Sequence, residues 1–93
     1  MPLWSIVFID GAEDDLKKFD ERIQDRIIEK FEWLEENFDR TLPLPLSNVL
    51  RGYFKLRIGD ARVIYTVETE MRTLTIRAIG PRDKIYKRFG ALV

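Results

Sequence analysis

The chain has no cysteine and no histidine. Without cysteine there is no disulfide framework, no thiolate nucleophile and no cysteine-based metal site. Without histidine the commonest general base and the commonest zinc ligand are both missing. Any catalysis must use Lys, Arg, Tyr, Asp or Glu, and neither a cofactor nor a metal is expected. No apolar run approaches the roughly 18 residues that read as a membrane span, so no membrane partner is expected. The first ten residues, MPLWSIVFID, are apolar but lack a basic flank and a small-residue cleavage site, so they read as a strand and not as a secretory signal. The expectation is a soluble cytoplasmic protein.

What is present is unevenly spread. The 93 residues suit a single domain spanning 1–93, and their net charge is zero. Residues 1–50 nevertheless carry 12 Asp/Glu against 6 Lys/Arg, whereas residues 51–93 carry 4 against 10. The halves stand at −6 and +6. Such asymmetry points to a polyanionic ligand, an acidic partner, or both.

Trp4 to Ile9 is rich in β-branched and aromatic residues and is closed by Asp10-Gly11, the pattern of a strand. A short helix follows, acidic at its front and ending in Lys17-Lys18, the charge order its macrodipole favours, with Leu16 and Phe19 turned inward. Asp20 is placed to N-cap a longer helix. There Ile23, Ile27, Phe31, Leu34 and Phe38 form an apolar stripe, while Asp25, Glu29, Glu32, Glu35 and Glu36 line an acidic outer face. Pro43 and Pro45 then predict an extended, semi-rigid loop over 39–50.

The remainder reads as hairpins. In YFKLRI, Phe54, Leu56 and Ile58 point one way and Lys55 and Arg57 the other. A two-residue Gly59-Asp60 turn sets Ile58 against Ala61, Arg57 against Arg62, Leu56 against Val63 and Phe54 against Tyr65. Leu74, Ile76 and Ala78 alternate with Thr73, Thr75 and Arg77 in the last strand, and RDKIYKRF reads as a short helical or irregular tail. The fold class is therefore α+β: an N-terminal strand, a helical hairpin, and a small antiparallel sheet with helices on one face. Because those helices bury their stripe on the Phe54/Leu56/Val63 face, the other face is expected to present Lys55, Arg57, Arg62 and Arg77. Arginines directly opposite one another destabilise a sheet unless an anion sits between them, and phosphate suits the Arg fork. The plainer alternative is a solvated cationic face that guards against aggregation.

Other motif classes fail. There is no phosphate-cradling glycine loop, no Gly-x-Ser-x-Gly and no metal-ligand spacing. Asp14/Asp15 and Glu35/Glu36 are adjacent on helices, so they diverge.

The strand, the hairpin ending in LEEN, the stretch LRGYFKLRIGDARVIYTV and the tail AIGPRDKIYKRF together resemble the RelE/ParE superfamily of toxins from type II toxin–antitoxin operons. The resemblance implies a RelE-like fold. It further implies metal-independent cleavage of mRNA on the ribosome by basic residues and a C-terminal tyrosine. Carried over, it makes Lys55, Arg62, Arg82 and Tyr86 the catalytic set. Lys55, Arg57, Arg77, Lys84, Lys87 and Arg88 would contact RNA. The partners implied are a cognate antitoxin, the ribosome and mRNA. Two alternatives stay open: a ParE-like gyrase poison on the same scaffold, and a non-catalytic domain whose cationic face holds an acidic protein segment.

Overall fold

Three strands with period-two apolar patterning build the sheet around which the other elements are arranged. In the computed structural model, residues 3–9, 11–47 and 51–88 are described; residues 1–2, Asp10, residues 48–50 and 89–93, and the side chains of Tyr86 and Arg88 lie outside that description. In chain order the elements are β1 (Ser5–Phe8), α1 (Ala12–Lys17), α2 (Glu21–Asn37), a 3-10 turn (Phe38–Arg40), β2 (Leu44–Pro45), β3 (Tyr53–Ile58), β4 (Ala61–Glu68), β5 (Thr73–Pro81) and α3 (Arg82–Arg88). The sheet order is β1-β5-β4-β3-β2. β3 and β4 pair in the expected register, from Ile58↔Ala61 to Tyr53↔Thr66. Of the Gly59-Asp60 pair only Gly59 has positive φ (58°), which is the type II′ arrangement. The mode of attachment of β1 was not legible in the sequence. It runs parallel to β5, Ile6 beside Leu74 and Phe8 beside Ile76, and the chain between them, both helices and β2 to β4, supplies the long connection that parallel pairing requires.

Both N-terminal helices pack on one face. The Asp20 side chain accepts from the Ile23 N–H at 3.0 Å, as its N-cap position predicts, which is worth about 1 kcal/mol. Ile27, Phe31, Leu34 and Phe38 then bury against Val63, Tyr65, Leu74, Ile76 and Ile79. Edge-to-face aromatic contacts join Phe38 to Trp4 and to Tyr65, and Phe31 to Phe8. Beyond the end of β1 the Ile79 N–H has no neighbouring strand; the buried Asp15 carboxylate of α1 accepts it at 3.0 Å. Among the described residues, no helix is long and apolar enough to cross a membrane.

The opposite face departs from simple alternation. Ile64 pairs with Ala78 but Tyr65 pairs with Ile76, so Arg77 is the extra residue of a β-bulge. The bulge reverses side-chain parity along β5. Leu74 and Ile76 lie in the main core, as does Ile79, whereas Ala78, expected on that side, is turned to the other. There it forms a second apolar cluster with Ile64, Leu46 and Ile85, flanked by Tyr53. Ile85 reaches the sheet because β5 carries Gly80, where an added Cβ would stand 3.1 Å from Ile85 Cδ1. So α3 closes the centre of this face. The expected loop also contributes: Leu44–Pro45 pair with β3, and the Leu46 N–H donates to the Tyr53 carbonyl at 2.9 Å. Pro45 is tolerated there because β2 is an edge strand.

A polar lock ties the N-terminal segment to the far turn. Trp4 Nε1 donates to Asp39 Oδ1 at 2.9 Å, Arg72 Nη2 donates to Asp39 Oδ2 at 2.7 Å, and Arg72 Nε donates to the Leu3 carbonyl at 2.7 Å. The hydrogen bonds from Trp4 and Arg72 hold the Asp39 carboxyl below its ordinary value of 3.8.

Candidate nucleic-acid interface

Three arginines named from the sequence meet at one end of the sheet. Arg57 and Arg62 are direct cross-strand partners. Arg62 is buried, with Nη1 donating to the carbonyls of Gly59 (2.8 Å) and Ala61 (2.9 Å). These bonds turn one nitrogen of the guanidinium onto the carbonyls of the turn. The Nε and Nη2 edge of the guanidinium takes no part in them. The Arg82 N–H donates to the Asp60 carbonyl at 2.9 Å, which fixes the start of α3 against the same turn. Arg57 and Arg82 are themselves exposed. A rigid turn thus collects three guanidinium-bearing residues, two of them open to solvent.

The remaining named residues are not all gathered there. Lys55 is half-buried one strand repeat from Arg57 on the same face, opposite Ile64 and beside Leu44 of β2. Arg77 donates from Nε to Thr66 Oγ1 at 3.2 Å, four β4 residues from Arg62, or about 13 Å at ~3.3 Å per residue. Between them lie Ile64, Ala78, Leu46 and Ile85. The cationic face expected to run unbroken from Arg62 to Arg77 is therefore divided by an apolar plug, a consequence of the bulge and of α3. Lys84 lines a separate cavity of about 390 Å³ with Asp15 and Lys18, while Lys87 is exposed on α3. Tyr86 follows Ile85 in α3, and Arg88 ends that helix; their side chains lie outside the described residues.

Tyr65 lies in the main core, on the face its pairing with Phe54 predicts, and burial pushes its phenol up to about 12, so it stays protonated and serves as no base. One feature was not expected from the sequence. The outer side of α2, expected to be acidic, is divided lengthwise. At about 100° per residue, Arg22, Arg26, Lys30 and Trp33 share one flank about 80° wide, and Glu21, Asp25, Glu32, Glu35 and Glu36 take the other side. The acidic side faces β1, where the Ile6 N–H donates to Glu35 Oε2 at 3.3 Å. The basic flank faces β3 and reaches the arginine turn, since a methyl group on Gly59 would stand 3.4 Å from Arg26 Nη1. The i, i+4, i+8 spacing of Arg22, Arg26 and Lys30 was the available signal.

The architecture is that of small RelE- and YoeB-type toxins. The toxin–antitoxin complex RelBE2 from Mycobacterium tuberculosis superposes with a TM-score of 0.75 at 29% identity, covering 88% of this chain and 100% of that one. The YoeB dimer from Staphylococcus aureus gives 0.66 at 26% identity, covering 82% and 93%. A free-state mutant of Escherichia coli RelE gives 0.73 at 16% identity over 99% and 95%, a likeness of fold. Curated protein sequences offer no significant match. The family described as ParE toxin of type II toxin–antitoxin system, parDE, matches residues 6–86, and the chain belongs to it.

Proposed function

We propose that this toxin is an endoribonuclease that cleaves mRNA on the ribosome. The carrying observation is the convergence of Arg57, Arg62 and Arg82 on the Gly59-Asp60 turn. A ribose 2′-oxygen attacks the adjacent phosphorus, a P–O bond forms, and the bond to the 5′-oxygen of the next nucleotide breaks. The products are a 2′,3′-cyclic phosphate and a 5′-hydroxyl. Lys55 or Tyr86 takes the 2′-OH proton, and a proton is returned to the departing 5′-oxygen. Arg62 and Arg82 stabilise the charge that builds on the phosphate, and Arg57 orients it. Arg77, Lys84, Lys87 and Arg88 bind flanking RNA. Every group used is one the chain carries.

The partner proposed is a cognate antitoxin, by analogy with the M. tuberculosis complex. The toxin would act in the cytoplasm, where ribosomes are. A second reading, a gyrase poison, is favoured by the description of the matching family. Induced expression separates the two. Growth arrest with primer-extension stops inside translated codons is the expected result. Arrest with double-strand DNA breaks and intact mRNA contradicts the nuclease.

A further inference from the structure

The basic flank of α2 and the end of β3 enclose an open groove of about 430 Å³ that meets the proposed cleavage centre only at Arg57. Its lining is Arg26, Glu29, Lys30, Trp33, Arg57, Ile58 and Gly59. Three cations against one carboxylate make it electropositive, although both halves of the chain meet in it and the acidic half supplies its helix. Trp33 is 45% exposed, an unusual position for so large an apolar ring on a helix whose other large hydrophobics are mostly buried. Lys30 Nζ stands 4.1 Å from the ring centroid, a cation–π contact that takes one part of the indole and leaves the residue 45% exposed. The groove opens at Gly59 and Arg57 onto the turn that carries Arg62 and Arg82.

We propose that this groove binds single-stranded RNA. A base stacks on Trp33, its phosphates lie between Arg26, Lys30 and Arg57, and the strand is led to the arginine turn. Such a groove deepens the nuclease reading and rests on it for the strand's destination. Cations alternating with an exposed aromatic ring form the platform that single strands use, because every base has a π-face and every linkage a negative charge. An acidic peptide would satisfy the cations but leave the indole without a partner. Seven helical residues separate Arg26 from Trp33, about 10 Å at 1.5 Å per residue. That length accommodates about three stacked nucleotides at ~3.4 Å each.

The test titrates the intact protein with a labelled 12-nucleotide oligoadenylate. Trp33→Leu should weaken binding about tenfold. Arg26→Gln with Lys30→Gln should weaken it comparably and flatten the salt dependence by about 0.7 in log–log slope for each phosphate no longer neutralised. All three positions lie outside the core, and circular dichroism melts matching wild type confirm that the fold is kept. Wild-type affinity in both variants overturns the groove, as does no binding of the oligoadenylate by wild type. So does a 12-residue oligoglutamate that binds equally well and with the same dependence on Trp33, which would assign the surface to an acidic protein. Messenger cleavage is scored separately. A wild type that cleaves while binding independently of Trp33 refutes the groove alone. One that binds through Trp33 without cleaving mRNA refutes the nuclease alone.

Discussion

The two faces of the sheet are stabilised differently. On one, α1 and α2 lay a continuous apolar stripe over Val63, Tyr65, Leu74, Ile76 and Ile79. On the other, four buried residues, Leu46, Ile64, Ala78 and Ile85, form a plug with charged and polar groups on either side. The first face is a core whose loss unfolds the protein. The second is a local fastening that holds α3 on the sheet, with Arg82 at its start bonded to the β3–β4 turn. On the proposed function, stability and activity draw on opposite sides of the same three strands, and Ile85 links them.

The largest effect should come from opening the first face. Phe31→Ala removes a ring at the centre of the main core and should cost about 3–5 kcal/mol in urea unfolding, a large share of the stability of so small a protein. Ile85→Ala attacks the plug instead. We expect about 2 kcal/mol, at the low end for a buried Ile because α3 can lift away without unfolding the sheet, together with loss of cleavage. If Ile85→Ala destabilises as much as Phe31→Ala, the faces are one cooperative core and the distinction fails.

Arg62→Ala comes next. It leaves the Gly59 and Ala61 carbonyls without their guanidinium donor and should cost about 1–3 kcal/mol, so its loss of activity mixes a structural and a chemical effect. The exposed Arg82 and Arg57 give cleaner tests of the chemistry. The smallest effect belongs to the Trp4–Asp39–Arg72 lock. Asp39 has a depressed folded pKa, so its contribution is present above 3.8 and disappears as pH falls through the folded value. The melting temperatures of wild type and Asp39→Asn should therefore differ at pH 7 and converge below pH 3.8. A constant gap would show that the carboxylate charge is irrelevant.

Much of this was legible in the residues because local and cross-strand signals agreed. The Asp20 cap, the Ile23-to-Phe38 stripe and the Gly59-Asp60 hairpin each follow from short-range chemistry, and Arg57 opposite Arg62 follows from the hairpin. What was not legible depends on long-range geometry. Nothing in TLTIRAIG announces a bulge at Arg77, since its alternation looks unbroken; the bulge becomes necessary only once both Ile76 and Ile79 must face the main core. The parallel seat of β1, and the meeting of Leu46 with Ile85 across the sheet, likewise join residues tens of positions apart. The mixed character of α2 was legible, because Arg22, Arg26 and Lys30 repeat every four residues, but its carboxylates dominate the composition.

Whether the arginine turn is a nuclease centre is best decided by the ends of the RNA it produces. Purified toxin is incubated with programmed ribosomes, and the cleaved mRNA is analysed by mass spectrometry for its new 3′ terminus. A 2′,3′-cyclic phosphate is expected with wild type. Arg82→Ala should form it at least about a hundredfold more slowly, the scale of losing one transition-state donor, at an unchanged melting temperature. Intact mRNA with wild type, or undiminished cleavage by Arg82→Ala, would contradict a nuclease centre at this turn.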